Sequence, residues 1–126
     1  MSPTDPAAAP ADQSDRPAWF DLSTHDAPRA RRFYEELLGW PIKVLDPTYA
    51  LVVDDNGVPT GGIGQAGPNS PYTGLVTYFP VDDVDAALAR AERLGATRVL
   101  PPTDTPASRI AVFADLDGNH VGLVGR

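Results

Sequence analysis

The 126-residue chain contains no cysteine. That excludes a disulfide frame, a thiolate nucleophile and any zinc site built on sulfur, and it leaves the redox compartment undetermined. Lysine is almost absent too: Lys43 is the only one, and 10 basic residues face 17 acidic ones for a formal net charge of −7. A chain with so few cations lacks the basic stripe that phosphate neutralisation requires, so a nucleic-acid partner is excluded. Long apolar runs are missing as well. The longest are strand-sized and broken by charge or glycine, and the N-terminus carries no basic-then-apolar leader, so a soluble, cytoplasmic protein without a membrane partner is expected.

Residues 1–17 are rich in Pro, Ala, Asp and Ser and hold no apolar side chain larger than Met1. They offer too little apolar surface to offset the entropy of ordering, and read as a disordered arm. The remaining residues, 18–126, suffice for one modest core and one domain.

The best-defined stretch of that domain runs from Thr24 to Trp40. Asp26 is a good N-cap and Pro28 suits a first helical turn. Ala30, Phe33, Tyr34, Leu37 and Leu38 recur at the i, i+3, i+4, i+7, i+8 spacing of one apolar helix face, with Arg31, Arg32, Glu35 and Glu36 opposite. Gly39 ends the helix, because glycine enters the left-handed position without a Cβ penalty. The pattern returns from Val81 to Gly95, where Asp82 stands to Gly95 as Asp26 stands to Gly39. That makes an internal repeat of about half a domain.

Each helix follows one β-like run and precedes three. In the first half these are Trp19–Thr24, then 41–45, 49–53 and 58–65; in the second they are 74–81, then a short 97–100, 109–114 and 120–124. Pro101 to Pro106 reads as an irregular loop. Ala66–Tyr72, carrying Gly67-Pro68-Asn69-Ser70-Pro71, reads as a linker, so the half-modules fall at 18–65 and 72–126. Strand, helix, then three strands, twice over, predicts an α+β fold with the helices on one side of curved mixed sheets. Alternation in the first strand sends Phe20 and Leu22 toward the helix and leaves Trp19, Asp21 and Ser23 facing a different, partly polar space. Gly61, Gly62 and Gly64 load one strand with glycine, which requires a bend or a close approach there. No Walker spacing is present, so these glycines are not a phosphate loop.

With this doubled order, Asp26 with Phe33-Tyr34 and Leu38-Gly39-Trp40, Val81-Asp82-Asp83 with Leu94-Gly95, and Phe113-Ala114-Asp115-Leu116-Asp117-Gly118-Asn119, the chain resembles the vicinal oxygen chelate superfamily over residues 18–126. This is the group of glyoxalase I, extradiol dioxygenases, fosfomycin-resistance enzymes and bleomycin-binding proteins. The resemblance implies two βαβββ half-modules around a cavity, a small-molecule ligand, and two-fold pairing of chains into a homodimer. It also implies four metal-ligand positions, which here fall on Trp19, on Gly61 or Gly62, on Val76 and on Gly122. None of these can bind a cation, so no metal and no cofactor is expected.

Within the implied cavity, Trp19, Tyr49, Tyr78 and Phe113 are candidate aromatic walls beside Val76, with Gly61, Gly62 and Gly122 opening room. Asp21, a carboxylate between Phe20 and Leu22, requires a partner or a ligand. His120 is two residues before Gly122 and would face the same way, which makes it a second proton-transfer candidate; His25 reads better as a loop or cap contact. Arg109 is a candidate for an anionic group at the rim. Three readings follow. The first is a metal-independent protein holding a small apolar or aromatic metabolite, as in sequestration or resistance. The second is a metal-free isomerase, epimerase, cyclase or lyase using Asp21, His120 or a tyrosine. The third is a glyoxalase- or dioxygenase-like metalloenzyme with non-standard ligands.

Overall fold

The structure, a computed structural model, describes residues 16–126. The arm expected at 1–17 lies, except for its last two residues, outside them. The element order is β1 (Trp19–Thr24), α1 (Ala27–Leu38), β2 (Ile42–Asp46), β3 (Tyr49–Val53), β4 (Pro59–Gln65), β5 (Gly74–Val81), α2 (Val84–Arg93), β6 (Thr97–Asp104), β7 (Arg109–Ala114) and β8 (His120–Gly125). All eight strands join one mixed sheet in the order β2-β3-β4-β1-β5-β8-β7-β6, an α+β fold in which each half supplies four adjacent strands.

The register makes the repeat explicit. β1 and β5 pair antiparallel at the centre, Trp19 opposite Tyr78 and Asp21 opposite Val76. Exchanging Trp19 with Val76 and Asp21 with Tyr78 reproduces the same two pairs, so a pseudo-two-fold axis runs between these strands. The parallel neighbours agree: β4 sets Gly62 beside Asp21, and β8 sets Gly122 beside Tyr78. Further out, Tyr49 opposes Gly64 and Leu51 opposes Gly62 in the first half, as Ile110 opposes Val124 and Val112 opposes Gly122 in the second.

Both helices lie on one face. Under α1 the buried cluster is Ala27, Val52 and Ile63, with Phe20, Leu22, Ala30 and Trp40 against it. Under α2 it is Val84, Leu88, Ala111 and Leu123, with Phe113 against it. A third cluster, Val76, Tyr78 and Val112, sits on the opposite face. Gly61 serves the helix side, where a Cβ would collide with the Phe20 ring.

Four local expectations change. Asp26 caps α1 and accepts from the Arg29 amide at 3.1 Å, but α2 is capped by Asp83 rather than Asp82. Asp82 instead receives the Arg126 guanidinium at 2.7 Å. The apolar stripe of α1 is only partly used: Ala30 packs against the buried cluster and Tyr34 stacks on Trp40 with centroids 4.9 Å apart, whereas Phe33 and Leu37 are 55% and 63% exposed. The short strand at 97–100 continues through Pro101 and Pro102 to Asp104. β6 is an edge strand, where missing amide donors leave no ladder bond unmade, and its register shifts between Leu100 and Thr103. Finally, Gly62 and Gly122 do not open empty space. A Cβ at Gly62 would meet the Tyr49 hydroxyl and one at Gly122 the Tyr78 ring, so both glycines are floors on which tyrosines lie.

Candidate functional site

On the face opposite the helices the sheet curves around a cavity of about 740 Å³. Trp19, Asp21 and Ser23 reach it from β1, Tyr49 and Leu51 from β3, Tyr78 from β5, and Ile110 and Val124 from β7 and β8. Strand alternation puts them there: each shares a face with Asp21, while Phe20, Leu22, Ala111 and Phe113 point toward the helices. The rim is closed by Ser70 to Tyr72 of the segment between the halves and by Thr105–Ser108, a turn held by the Thr105 hydroxyl donating to the Ser108 carbonyl at 2.7 Å.

The polar centre of this cavity is Asp21. Tyr72 donates to its Oδ2 at 2.9 Å, and Tyr49 reaches its Oδ1 only at 3.5 Å. The hydroxyls of Tyr72 and Tyr78 are 2.7 Å apart. A phenol has one proton, so Tyr72, having given its own to Asp21, accepts from Tyr78. Three hydroxyls are thus directed, in series or side by side, at one carboxylate. Burial raises the Asp21 pKa above the ordinary carboxylate value, against the lowering effect of the bonds from Tyr72 and Tyr49. Burial and the neighbouring Asp21 charge hold Tyr49 and Tyr72 well above the usual phenol range, and burial raises Tyr78. Asp21 is therefore the proton acceptor of the group, and the tyrosines stay neutral donors.

The other sequence candidates lie elsewhere. Val76 shares the cavity face but is buried beneath the rings, packed with Tyr78 and Val112. Phe113 is on the helix face, against the cluster under α2, because it alternates out of phase with Val112. Arg109 is not at the cavity rim: its guanidinium lies between Asp85 at 2.7 Å and Asp104 at 2.9 Å. His120 is exposed at the start of β8, outside the cavity lining, with its ring tilted against that of Tyr72, centroids 6.2 Å apart. His25 is exposed, and its carbonyl accepts from Gln65 Nε2 at 2.6 Å. The residue that sequence reasoning missed is Tyr72. Its one signal was an aromatic side chain closing an otherwise Gly-Pro-Asn-Ser segment, and nothing local says where such a segment folds.

The residues at the four ligand positions do not fit a metal. Trp19 and Val76 offer no donor pair, and the space above Gly62 and Gly122 is occupied by Tyr49 and Tyr78. Among the described residues, no three His, Asp or Glu side chains come together to hold an ion. No helix of these residues is long and apolar enough to cross a membrane.

Comparison with known proteins agrees with the geometry. A family model described as "Glyoxalase-like domain" matches residues 18–124. An anthracycline biosynthesis protein, DnrV of Streptomyces peucetius, is 31% identical over 120 residues, covering 81% of this chain and 44% of its own. The chain thus spans under half the length of the curated relatives it matches. Among solved structures, a Streptomyces coelicolor methylmalonyl-CoA epimerase variant in complex with 2-nitronate-propionyl-CoA superposes with TM-score 0.61 at 19% identity, covering 88% of this chain and 96% of that one. A glyoxalase/bleomycin resistance protein/dioxygenase superfamily member from Vibrio splendidus gives 0.60 at 14%, covering 85% and 96%.

Proposed function

The chain belongs to the glyoxalase-like family of the vicinal oxygen chelate superfamily, and from that premise we propose that it is a metal-independent protein binding a small, largely apolar or aromatic metabolite in its cavity. One observation carries the reading: a cavity of about 740 Å³ walled by Trp19, Tyr49, Tyr78 and aliphatic side chains, with Asp21 the one acidic group among the described residues that line it. That size and lining suit a flat ring system, which would bury most of its surface against rings and leave one polar edge for Asp21. The similarity to a protein named for anthracycline biosynthesis supports a polycyclic aromatic as one such ligand. Sequestration of the metabolite requires nothing further. Titration of the purified protein with a polycyclic aromatic, followed by calorimetry, tests it. Saturable one-to-one binding that is unchanged by chelator and lost in Trp19→Ala supports the reading, and binding that requires added divalent metal overturns it.

A second reading rests on Asp21 alone. A partly buried carboxylate with a raised pKa and a hydrogen-bonded tyrosine suits abstraction of a proton from a bound ligand, as in an isomerase, epimerase or lyase. Solvent deuterium entering a bound carbon acid in the native protein but not in Asp21→Asn would favour it. We also propose that the chain pairs with a second copy. The exposed Phe33, Leu37 and Leu38 on α1 are an apolar stripe of the kind that association covers, and the longer relatives have room for a second such domain. Light scattering gives the mass, and a monomer at all accessible concentrations rejects it.

A further inference from the structure

If the cavity binds a small molecule as proposed, its lining also says what charge that molecule carries. Among the described residues that line it there is no lysine, arginine or histidine. The basic side chain nearest in sequence to the rim, Arg109, is turned away and held between Asp85 and Asp104. Nothing in the lining therefore neutralises an anion, and a phosphate or carboxylate brought in would face Asp21 across a low-dielectric space.

The hydrogen-bond directions carry this further. The protons of Tyr72 and Tyr78 are both consumed within the network, and that of Tyr49 points toward Asp21. What the network leaves open is acceptor capacity. Asp21 Oδ1 has only the long 3.5 Å approach of Tyr49, while an ionised carboxylate can accept about four bonds. The rings of Trp19, Tyr49 and Tyr72 line the same cavity, and aromatic rings attract cations that approach their faces. We infer that the cavity selects a ligand carrying a protonated amine, whose N–H groups bind Asp21 Oδ1 while its apolar body lies against the rings.

The test is a matched series of one naphthalene bearing an aminomethyl, a hydroxymethyl or a carboxymethyl group, titrated calorimetrically into the full chain. A hydrogen bond to a charged group is worth about 1.5–3 kcal/mol, so the ammonium probe is expected to bind at least about tenfold tighter than the alcohol, with the carboxylate weakest. Asp21→Asn is expected to bring ammonium and alcohol to equal affinity. Asp85→Asn removes the same charge outside the cavity and is expected to keep the preference. In the unmodified protein the preference is expected to fade as acid protonates Asp21; the groups facing it, Tyr49 from β3, Tyr72 from the segment between the halves and Tyr78 from β5, are all held above the ordinary phenol range and do not titrate there. Equal binding of the three probes overturns the inference and leaves the apolar-cavity reading standing. A preference that survives Asp21→Asn overturns it in favour of the overall negative charge. Failure of all three probes to bind overturns both.

Discussion

Where the first half of the molecule places Trp19, Asp21 and Tyr49 on the cavity face, the second places Val76, Tyr78 and Ile110 at the equivalent positions. The backbone pairs are the same; the chemistry is not. Val76 and Val112 are buried and form a packed wall, whereas Trp19 and Leu51 remain partly open to the cavity. Duplication of a fold thus has not duplicated the side chains on it: Asp21 and Tyr78, equivalent by symmetry, become the two ends of one hydrogen-bonded chain through Tyr72.

The sharpest way to break this comparison is to add a methyl to the glycine floor of each half. At Gly122 the added Cβ meets the inner atoms of the Tyr78 ring, which is 3% exposed and has nowhere to go. At Gly62 it meets the far end of Tyr49, which can swing into the cavity. Gly122→Ala is expected to cost about 3 kcal/mol or to prevent folding, and Gly62→Ala about 1 kcal/mol with loss of the Tyr49 contact to Asp21. Chemical denaturation of both variants measures it; equal losses would show that the halves are equally rigid.

Next in size is Asp21→Asn. Burial opposes the charge on the Asp21 carboxylate, so removing that charge is expected to stabilise the fold and raise Tm by about a few degrees. The sign follows from linkage. The folded-state pKa is raised above the unfolded value, so the contribution of this residue to stability is fully present below the unfolded pKa and is lost as pH rises through the folded pKa. Thermal melts of both proteins are expected to differ most at neutral pH and to converge in acid. A lower Tm for Asp21→Asn at neutral pH would mean that the tyrosine bonds outweigh the cost of burial.

Tyr72→Phe removes both hydroxyl contacts, at an expected cost of about 1 kcal/mol. It also removes a donor that lowers the Asp21 pKa, so the Asp21 carboxyl titration followed by NMR is expected to move upward. A downward movement would place some other group as its main partner.

Much of this fold was legible because periodicity and caps are local. Asp26, Gly39 and the spacing of Ala30 and Tyr34 set α1, and alternation alone assigned Trp19 and Asp21 away from the helix. Asp82 and Asp83 were ambiguous for the same reason, since adjacent aspartates are equally good caps and only the tertiary position of Arg126 separates them. The candidate site was half legible. Phe113 and Val112 are neighbours in sequence on opposite faces, and choosing between them needs the register of β7 against β8. Tyr72 could not be placed at all, because its position depends on a loop crossing from one half to the other. Arg109 marks the smallest expected effect: exposed ion pairs contribute little, so Arg109→Ala is expected to leave both stability and ligand affinity nearly unchanged. An affinity loss in calorimetry would return it to the site.

The central strand β5 also holds residues near both ends of the described segment. The Ala18 amide donates to the Tyr78 carbonyl at 2.8 Å and the Arg126 amide to the Val81 carbonyl at 3.0 Å, carbonyls about 10 Å apart along the strand. Residues 18 and 126 could therefore be bridged by a short tether and the chain reopened between Ala66 and Gly74, reversing the order of the halves without breaking one strand pair. In such a permutant the tyrosine that joins Asp21 to Tyr78 would hang from a free end, and the connectivity of the backbone, rather than any side chain, would then decide whether the two halves share one network.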